Sequence, residues 1–567
     1  MKPWLLGALG ATLLLAVTAL CLGLRFASPG DSLILKAFAG FEGGVPVHYH
    51  EELHTTLAWL LFALHSAVPG IPWFSVLQLA FLWLSCAVVI KSMARCAELH
   101  GLPAWLGALC GGLWFACIGL FSMVRLEHGA TGALLCAAAV SQLFSSDYSG
   151  ADDRHVLRGT LLSTGLLIAG YCFSMRAAAP ALCFVLLGAL TVRLTDYSHR
   201  EVARRGMLAR KGARGLTLGM WICVFCLMLF MVMRLVELDA MAGDAAWQSA
   251  RRALVTNPAF PAGVTDELLD QIGWSRTQLD LFASGFLYDS QITADSLRLL
   301  NEGLTASAHT GLGTAWSVLS SFFAKHPSLM ISGGLCAALA LLCVLTAAGH
   351  KRVTWMLLVP IVTLAAALGW LLVLAQSGRL HMDEALCVLA PAGTLLLGLA
   401  LYRPASAPQG RKLPQALLCT FCAIAAGVGI VNGAAAAAKL PVEQPAFEAA
   451  LYEYALSKPD KLIFYTPRLA SDTRLFPNLQ AAPHNVVLPD VRNVHTNGLA
   501  IQLKQFGIEC VSMKPSDFLK PSVLVAGTAK GPWKLLLPYV NELQPGTYNW
   551  AVYEQKGDLY LYKLCKR

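Results

Sequence analysis

The sequence predicts an all-α polytopic membrane protein of about eleven spans that carries a small α/β extracytoplasmic C-terminal domain. Three observations predict it. Of 567 residues, 56% are hydrophobic and only 14% charged, with a mean hydropathy of +0.57, which excludes an ordinary soluble globular composition. Apolar runs of about 20 residues recur, long enough to cross a hydrocarbon core of roughly 30 Å. From about residue 441 the runs stop, and short alternating strands and helices take over.

The first span covers about residues 4–24 behind Lys2. Its apolar core is longer than that of a signal peptide and no small-x-small site ends it, so it reads as an uncleaved span. Further spans fall at about 71–90, 104–122, 129–145, 159–174, 178–192, 216–236, 327–348, 353–375, 385–402 and 414–438. The loop after the sixth span holds Arg193, Arg200, Arg204, Arg205, Arg210, Lys211 and Arg214. That loop is cytoplasmic by the positive-inside rule, which places the N-terminus inside and the C-terminal part outside a plasma or inner membrane. The net charge of +9 is thereby accounted for by topology, and no nucleic-acid partner is called for. Two outer loops stand out, 25–70 and 237–325. The second is long enough to be a functional excursion, with helical pieces at "TDELLDQIGW" and "TADSLRLLNEGL". The division is therefore a membrane domain over 1–438 and an outer domain over 439–567. In the latter "KLIFYT", "NVVLPD", "SVLVAG" and a hairpin around Lys556-Gly557-Asp558 read as strands, and 445–457 and 497–507 as helices.

Most of the 17 cysteines lie inside apolar runs and act there as small hydrophobic residues. Cys510 and Cys565 are the exception, a candidate disulfide pair if their domain is extracytoplasmic.

The polar chemistry gathers in the first outer loop: Asp31, Glu42, His48, His50, Glu51, Glu52 and His54. Ionisable groups at a membrane boundary are costly and point to function. "HEELH", His50 to His54, would set two imidazoles on one helix face as zinc proteases do. A charged Glu52 and the lack of a third ligand at a family spacing count against it, and a polar helix start is the plainer account. A broader pattern is an acid soon after the first span (Asp31), a glycine-rich loop, a histidine leading into a half-length apolar helix, and a second acid, Glu127, in the short outer turn "VRLEHGA".

On these residues the chain resembles the membrane-embedded C-type glycosyltransferase superfamily (GT-C), most closely its polyprenyl-phosphate-sugar-dependent, mannosyl- and arabinosyltransferase-like members. The resemblance covers about residues 1–195 and the general layout, outward C-terminal domain included. The motifs depart in that Ser32 follows Asp31 where a second acid is usual, the paired prolines after His50 are missing, and Glu127 replaces an Asp. The resemblance implies transfer of a hexose or pentose from a lipid-phosphate donor to an acceptor at the outer face.

Asp31 and Glu127 are then the candidate catalytic acids, since a carboxylate must take the acceptor's proton. Asp31 is equally placed to cap the helix it opens, and one residue serves both ends. Arg125, Arg176 and Arg379 fall at outer ends of spans with His128 nearby, where they would bind the donor phosphate or reach lipid headgroups. Glu42 and His50 are assigned to the acceptor or the loop. His381, Asp383 and Glu384 form a further outer cluster that would complete the site from the second half. A divalent cation held by Asp31, Glu127 and His128 is the one cofactor these residues suggest, and its use is left open. Expected partners are the lipid-linked donor and membrane lipids. Two other classes stand beside the enzyme: a transporter or flippase, which should show matched halves and broken mid-membrane helices, and a non-catalytic scaffold.

Overall fold

The computed structural model describes residues 2–27, 29–41, 46–50, 52–145, 153–200, 211–240, 242–255, 257, 259–287, 289–306, 312–347, 354–377, 380–402, 412–438, 445–465, 473–477, 483–487, 503–509 and 513–567. In chain order it begins with α1 (Pro3–Cys21), β1 (Arg25–Phe26), α2 (Pro29–Phe38), α3 (Thr55–Ala67), α4 (Trp73–Leu99), α5 (Ala104–Val124), β2 (Arg125–Leu126) and α6 (His128–Gln142). Next come α7 (Asp153–Phe173), α8 (Ala178–Arg200), α9 (Lys211–Ala240), α10 (Ala242–Val255), α11 (Asp266–Ile272), α12 (Arg276–Ala283), α13 (Ala294–Ala306) and α14 (Leu312–Lys325). The second half holds α15 (Pro327–Ala347), α16 (Thr354–Gln376), α17 (Met382–Leu401), α18 (Lys412–Ala438) and α19 (Pro445–Ser457).

Every stretch expected as a span is helical. Among the described residues, seven helices are long and apolar enough to cross a bilayer, or eight if the bent pair α14–α15 forms one span. The polar excursion expected at 237–325 is also largely helical: α10 to α13 close on a core of Trp247, Leu254, Trp274, Phe282 and Leu300.

The chain is an integral membrane protein, and the outward face of its bundle shows why. Trp221 and Phe225 of α9 are 70% and 69% exposed, an arrangement that only lipid makes tolerable. The opposite case is α17, whose apolar stretch is buried along its whole length between α5, α6, α8, α15 and α16. Glycine allows that burial. A Cβ on Gly393 would lie 2.1 Å from the Trp114 ring, and one on Gly398 would lie 2.4 Å from the Phe144 ring. The Trp114 indole N–H donates to Thr394 Oγ1 at 3.0 Å, so the close approach is also a polar one. α17 is the post about which the bundle is packed, and its first turn delivers Asp383 and Glu384 to one end.

The C-terminal strands are β3 (Leu462–Phe464), β4 (Val486–Val487), β5 (Val523–Gly527), β6 (Tyr548–Lys556) and β7 (Leu559–Lys566). They form one mixed sheet in the order β4-β3-β5-β7-β6, with parallel pairing among β4, β3 and β5 and antiparallel pairing beyond. The β6–β7 turn needs Gly557, at φ 59°, a conformation that side chains disfavour. The excursion packs on this sheet region through Phe286, whose ring lies 5.7 Å from Trp533 and 5.8 Å from Tyr539. Beside it the Asp289 carboxylate accepts from Tyr539 Oη at 2.9 Å and from Gln278 Nε2 at 3.1 Å. Cys510 lies outside the described residues, as does most of 497–507, of which 503–505 is helical.

A Gly393→Val substitution should force Trp114 off α17 and cost about 1–3 kcal/mol. Thermal unfolding in detergent measures it, and an unchanged midpoint would contradict the packing described.

Candidate functional site

Two connections come together at one end of the bundle. The chain leaving α1 forms β1, and the chain leaving α5 forms β2. These pair in parallel, Arg25 with Arg125 and Phe26 with Leu126. Ala27 N–H donates to the Leu126 carbonyl at 2.8 Å, and an Arg125 guanidinium N–H donates to the Ala27 carbonyl at 3.0 Å. The ladder holds the start of α2 against the start of α6, so Asp31 meets the residues around Glu127.

Asp31 is 2% exposed, and both of its carboxylate oxygens have partners. Its Oδ2 accepts from the His128 backbone N–H at 2.8 Å and from Gln78 Nε2 at 3.1 Å, and its Oδ1 faces His128 Nδ1 at 2.7 Å. The far ring nitrogen of His128 lies 3.4 Å from the Glu52 carboxylate. The result is a chain of carboxylate, imidazole and carboxylate. Burial opposes a charge on His128, but Asp31, then Glu52 and Glu127, overcome it and hold the ring in its protonated form above the ordinary histidine range.

Glu127 precedes α6 and behaves in the opposite way. Burial first, then the nearby charges of Asp383 and Asp31, push its carboxyl from 4.5 to about 8. Asp383 is close because residue 129 is glycine: a Cβ there would lie 2.5 Å from Asp383 Oδ2.

These groups line one cavity of about 540 Å³, with Gly30, Asp31, Glu52, Glu127, His128, Arg176, His381 and Asp383 in its wall. Arg251 of α10 lines it too, so the excursion contributes to the site. Arg176 also pairs with Glu384, which is buried behind the wall.

Of the residues singled out in the sequence, Asp31, Glu127, His128, Arg176, His381 and Asp383 are thus brought to one place. Arg125 turns aside. It packs at 5.4 Å over the Phe121 ring and lines a small neighbouring pocket with Ser122, Ser332 and Asn432, which shares Glu127 and Asp383 with the main cavity. His50 does not line the cavity; its Nδ1 accepts from Glu52 N–H at 3.2 Å and so shapes the loop that presents Glu52. Glu42, Glu51 and Arg379 lie outside the described residues.

The helical reading of "HEELH" is corrected here. His50 and Glu52–His54 are loop and turn, and α3 begins only at Thr55. His54 caps that helix, its Nδ1 accepting from Thr56 N–H at 3.2 Å while Nε2 meets the Phe230 carbonyl at 3.0 Å. With both ring nitrogens engaged and the helix missing, the metalloprotease geometry is not formed.

Among the described residues, no group of three or more His, Cys, Asp or Glu side chains is arranged to hold a metal ion. Both ring nitrogens of His128 face carboxylates in this arrangement, Nδ1 that of Asp31 and Nε2 that of Glu52.

Sequence reasoning passed over Gln78, Glu52 as a cavity residue, and Arg251. Gln78 alone left a usable signal, a lone amide within an otherwise apolar run, "IPWFSVLQLAFLWL".

No protein-family model matches the chain, and no curated protein matches it. Among solved structures it is similar to ArnT from Cupriavidus metallidurans bound to undecaprenyl phosphate, a C-type glycosyltransferase, at 12% identity, over 98% of this chain and 97% of that one, with a TM-score of 0.35. A TM-score that low makes the likeness too slight to argue from, and the functional reading rests on the geometry of the cavity.

The Glu127 shift has a testable sign. A carboxyl raised from 4.5 to about 8 binds more protons folded than unfolded between those values, so it lowers stability as pH rises through that window. Glu127→Gln removes this contribution. The variant should gain thermal stability over the native chain between about pH 5 and pH 8, and a pH-independent difference would contradict the assignment.

Proposed function

We propose that the protein is an integral membrane glycosyltransferase that moves a sugar from a polyprenyl-phosphate donor to an acceptor hydroxyl at the outer membrane face. The observation that carries this reading is the Asp31–His128–Glu52 chain in the wall of a cavity that also holds Arg176 and Arg251. Glycosyl transfer needs three things in one place: a base for the acceptor, positive charge for the departing phosphate, and exclusion of water.

Asp31 meets the first need. A carboxylate offers about four lone-pair sites, and its three donors leave about one for an acceptor hydroxyl. The same donors fix its orientation. The imidazolium of His128 meets the second, with the guanidinium groups of Arg176 and Arg251 on the same cavity. Glu127, protonated and beside Asp383, is suited to donate a hydrogen bond to a phosphate oxygen without repelling it. Glu52 holds the far nitrogen of His128 until a donor arrives.

The assignment to the outer face takes α8 as a crossing helix and the basic stretch after it as cytoplasmic. α8 starts beside the cavity and runs away from it, and its end leads into the basic stretch 193–214. A cytoplasmic basic stretch puts the cavity on the other side. In this reading α10 to α14 and the sheet region from 439 onward cover the site or receive acceptor.

The test is transfer by the purified chain in lipid nanodiscs, with a panel of polyprenyl-phosphate sugars and product detection by mass spectrometry. Asp31→Asn should lower kcat by about 10²-fold or more, and His128→Asn by a comparable factor, with smaller changes in KM. If neither variant affects a measured transfer, the cavity is not the reaction centre. A second prediction concerns metal: because His128 supplies the cation, transfer should survive EDTA. Loss in EDTA that a divalent ion reverses would overturn the role given to His128.

A further inference from the structure

α2 has two loyalties. Asp31 stands in its first turn and Lys36 in its last. Five residues at about 100° each set them roughly 140° apart around the axis, so they face different neighbours. Ile34, Leu35, Ala37 and Phe38 belong to the core of the membrane bundle. Leu33 instead packs on the cluster built by Phe447, Leu451, Tyr454 and Leu561 of the C-terminal region.

Lys36 follows Leu33. Its ammonium pairs with the Glu448 carboxylate of α19, and the two residues are 5% and 3% exposed. Tyr452 Oη donates to the same Glu448 oxygen at 2.7 Å, and its ring lies 5.7 Å from the ammonium. Phe41, just past α2, packs on that ring at 5.5 Å. The backbone is tied on the other side as well: Phe26 N–H donates to the Thr473 carbonyl at 2.8 Å, and Arg25 bridges to Arg474. A helix of ten residues has little stability of its own, so where α2 lies is decided by what docks on it. A buried lysine without its counter-ion would be driven toward solvent and would turn the helix with it.

We propose that the Lys36–Glu448 pair is a positioning link through which the C-terminal region holds Asp31 in register with His128. The C-terminal region is then a working part of the site and not an accessory beside it. The proposal rests on the glycosyltransferase reading for its kinetic consequence. Its structural half, the seating of His128 on Asp31, does not depend on that reading.

The experiment uses the full chain in nanodiscs with Glu448→Gln, Tyr452→Phe and the double variant Lys36→Met/Glu448→Leu. Two readouts are taken below each variant's unfolding midpoint. One is the kcat and KM of transfer from a polyprenyl-phosphate sugar. The other is the rate at which diethyl pyrocarbonate modifies His128, followed by peptide mass spectrometry; the reagent attacks neutral imidazole, so the Asp31 contact protects the ring. Glu448→Gln should cut kcat by about tenfold or more with KM within about twofold, and should speed His128 modification several-fold. The apolar pair, which docks α2 without a stranded charge, should return both readouts to within about threefold of the native chain. Tyr452→Phe should move both in the same direction by less, and it keeps the test decisive if Glu448→Gln fails to fold. Unchanged kcat and unchanged His128 protection in folded variants would overturn the link. If the native chain shows no transfer while Glu448→Gln still exposes His128, the link stands and the assigned activity falls.

Discussion

The contact between Asp31 and His128 is the constraint on which the site is built. It joins residues 97 apart in sequence, and it is made twice, through the backbone N–H of His128 and through its ring. The backbone bond satisfies one of the donors that the start of α6 leaves open, and the side-chain bond fixes the imidazole's tautomer and charge. Neither would form without the two-residue parallel ladder below, which brings the two connections side by side. A buried carboxylate in this place would otherwise be expensive. Three donors, one of them the cationic ring of His128, make it stable, and they also aim it.

The rest of the cavity follows an electrostatic balance. Its wall mixes the carboxyl groups of Asp31, Glu52, Glu127 and Asp383 with the side chains of Arg176, Arg251, His128 and His381. Burial, with the charges of Asp383 and Asp31 nearby, raises the Glu127 carboxyl to about 8. That proximity comes from packing: Asp383 enters because α17 is held at the bundle's centre by close glycine contacts and because Gly129 leaves it room.

Much of the architecture was legible in the sequence because hydropathy is a local property. Each expected span corresponds to a helix, the strands at 462–464, 486–487 and 523–527 fall within the segments read as strands, and those at 548–556 and 559–566 form the expected hairpin and run slightly beyond it. The number of bilayer crossings is less directly written, since α6 has only 15 residues and short apolar helices such as Ala178–Val192 do not declare whether they cross. At the site, Asp31 and Glu127 could be singled out because charges at span ends are conspicuous. Which charges face which could not. Arg125 looked like a cavity residue and turns to Phe121 and Ala27, while Arg251, not singled out in the sequence, reaches the cavity wall. "HEELH" fits the plainer of its two accounts, a polar helix start: His50 and Glu52–Leu53 are loop and turn, and His54 caps α3.

The Lys36–Glu448 contact spans 412 residues, and this bears on how the protein is made. Chains enter the membrane from the N-terminus, so α1 and α4 are in place long before α19 exists. During that interval Lys36 has no counter-ion and α2 no fixed seat, and the cavity has a polar wall without its final shape. A segment 412 residues further along the chain completes the seat of α2. A truncated or stalled product would therefore carry a full set of early membrane helices and still lack the contact that seats α2 and the wall of the cavity it forms.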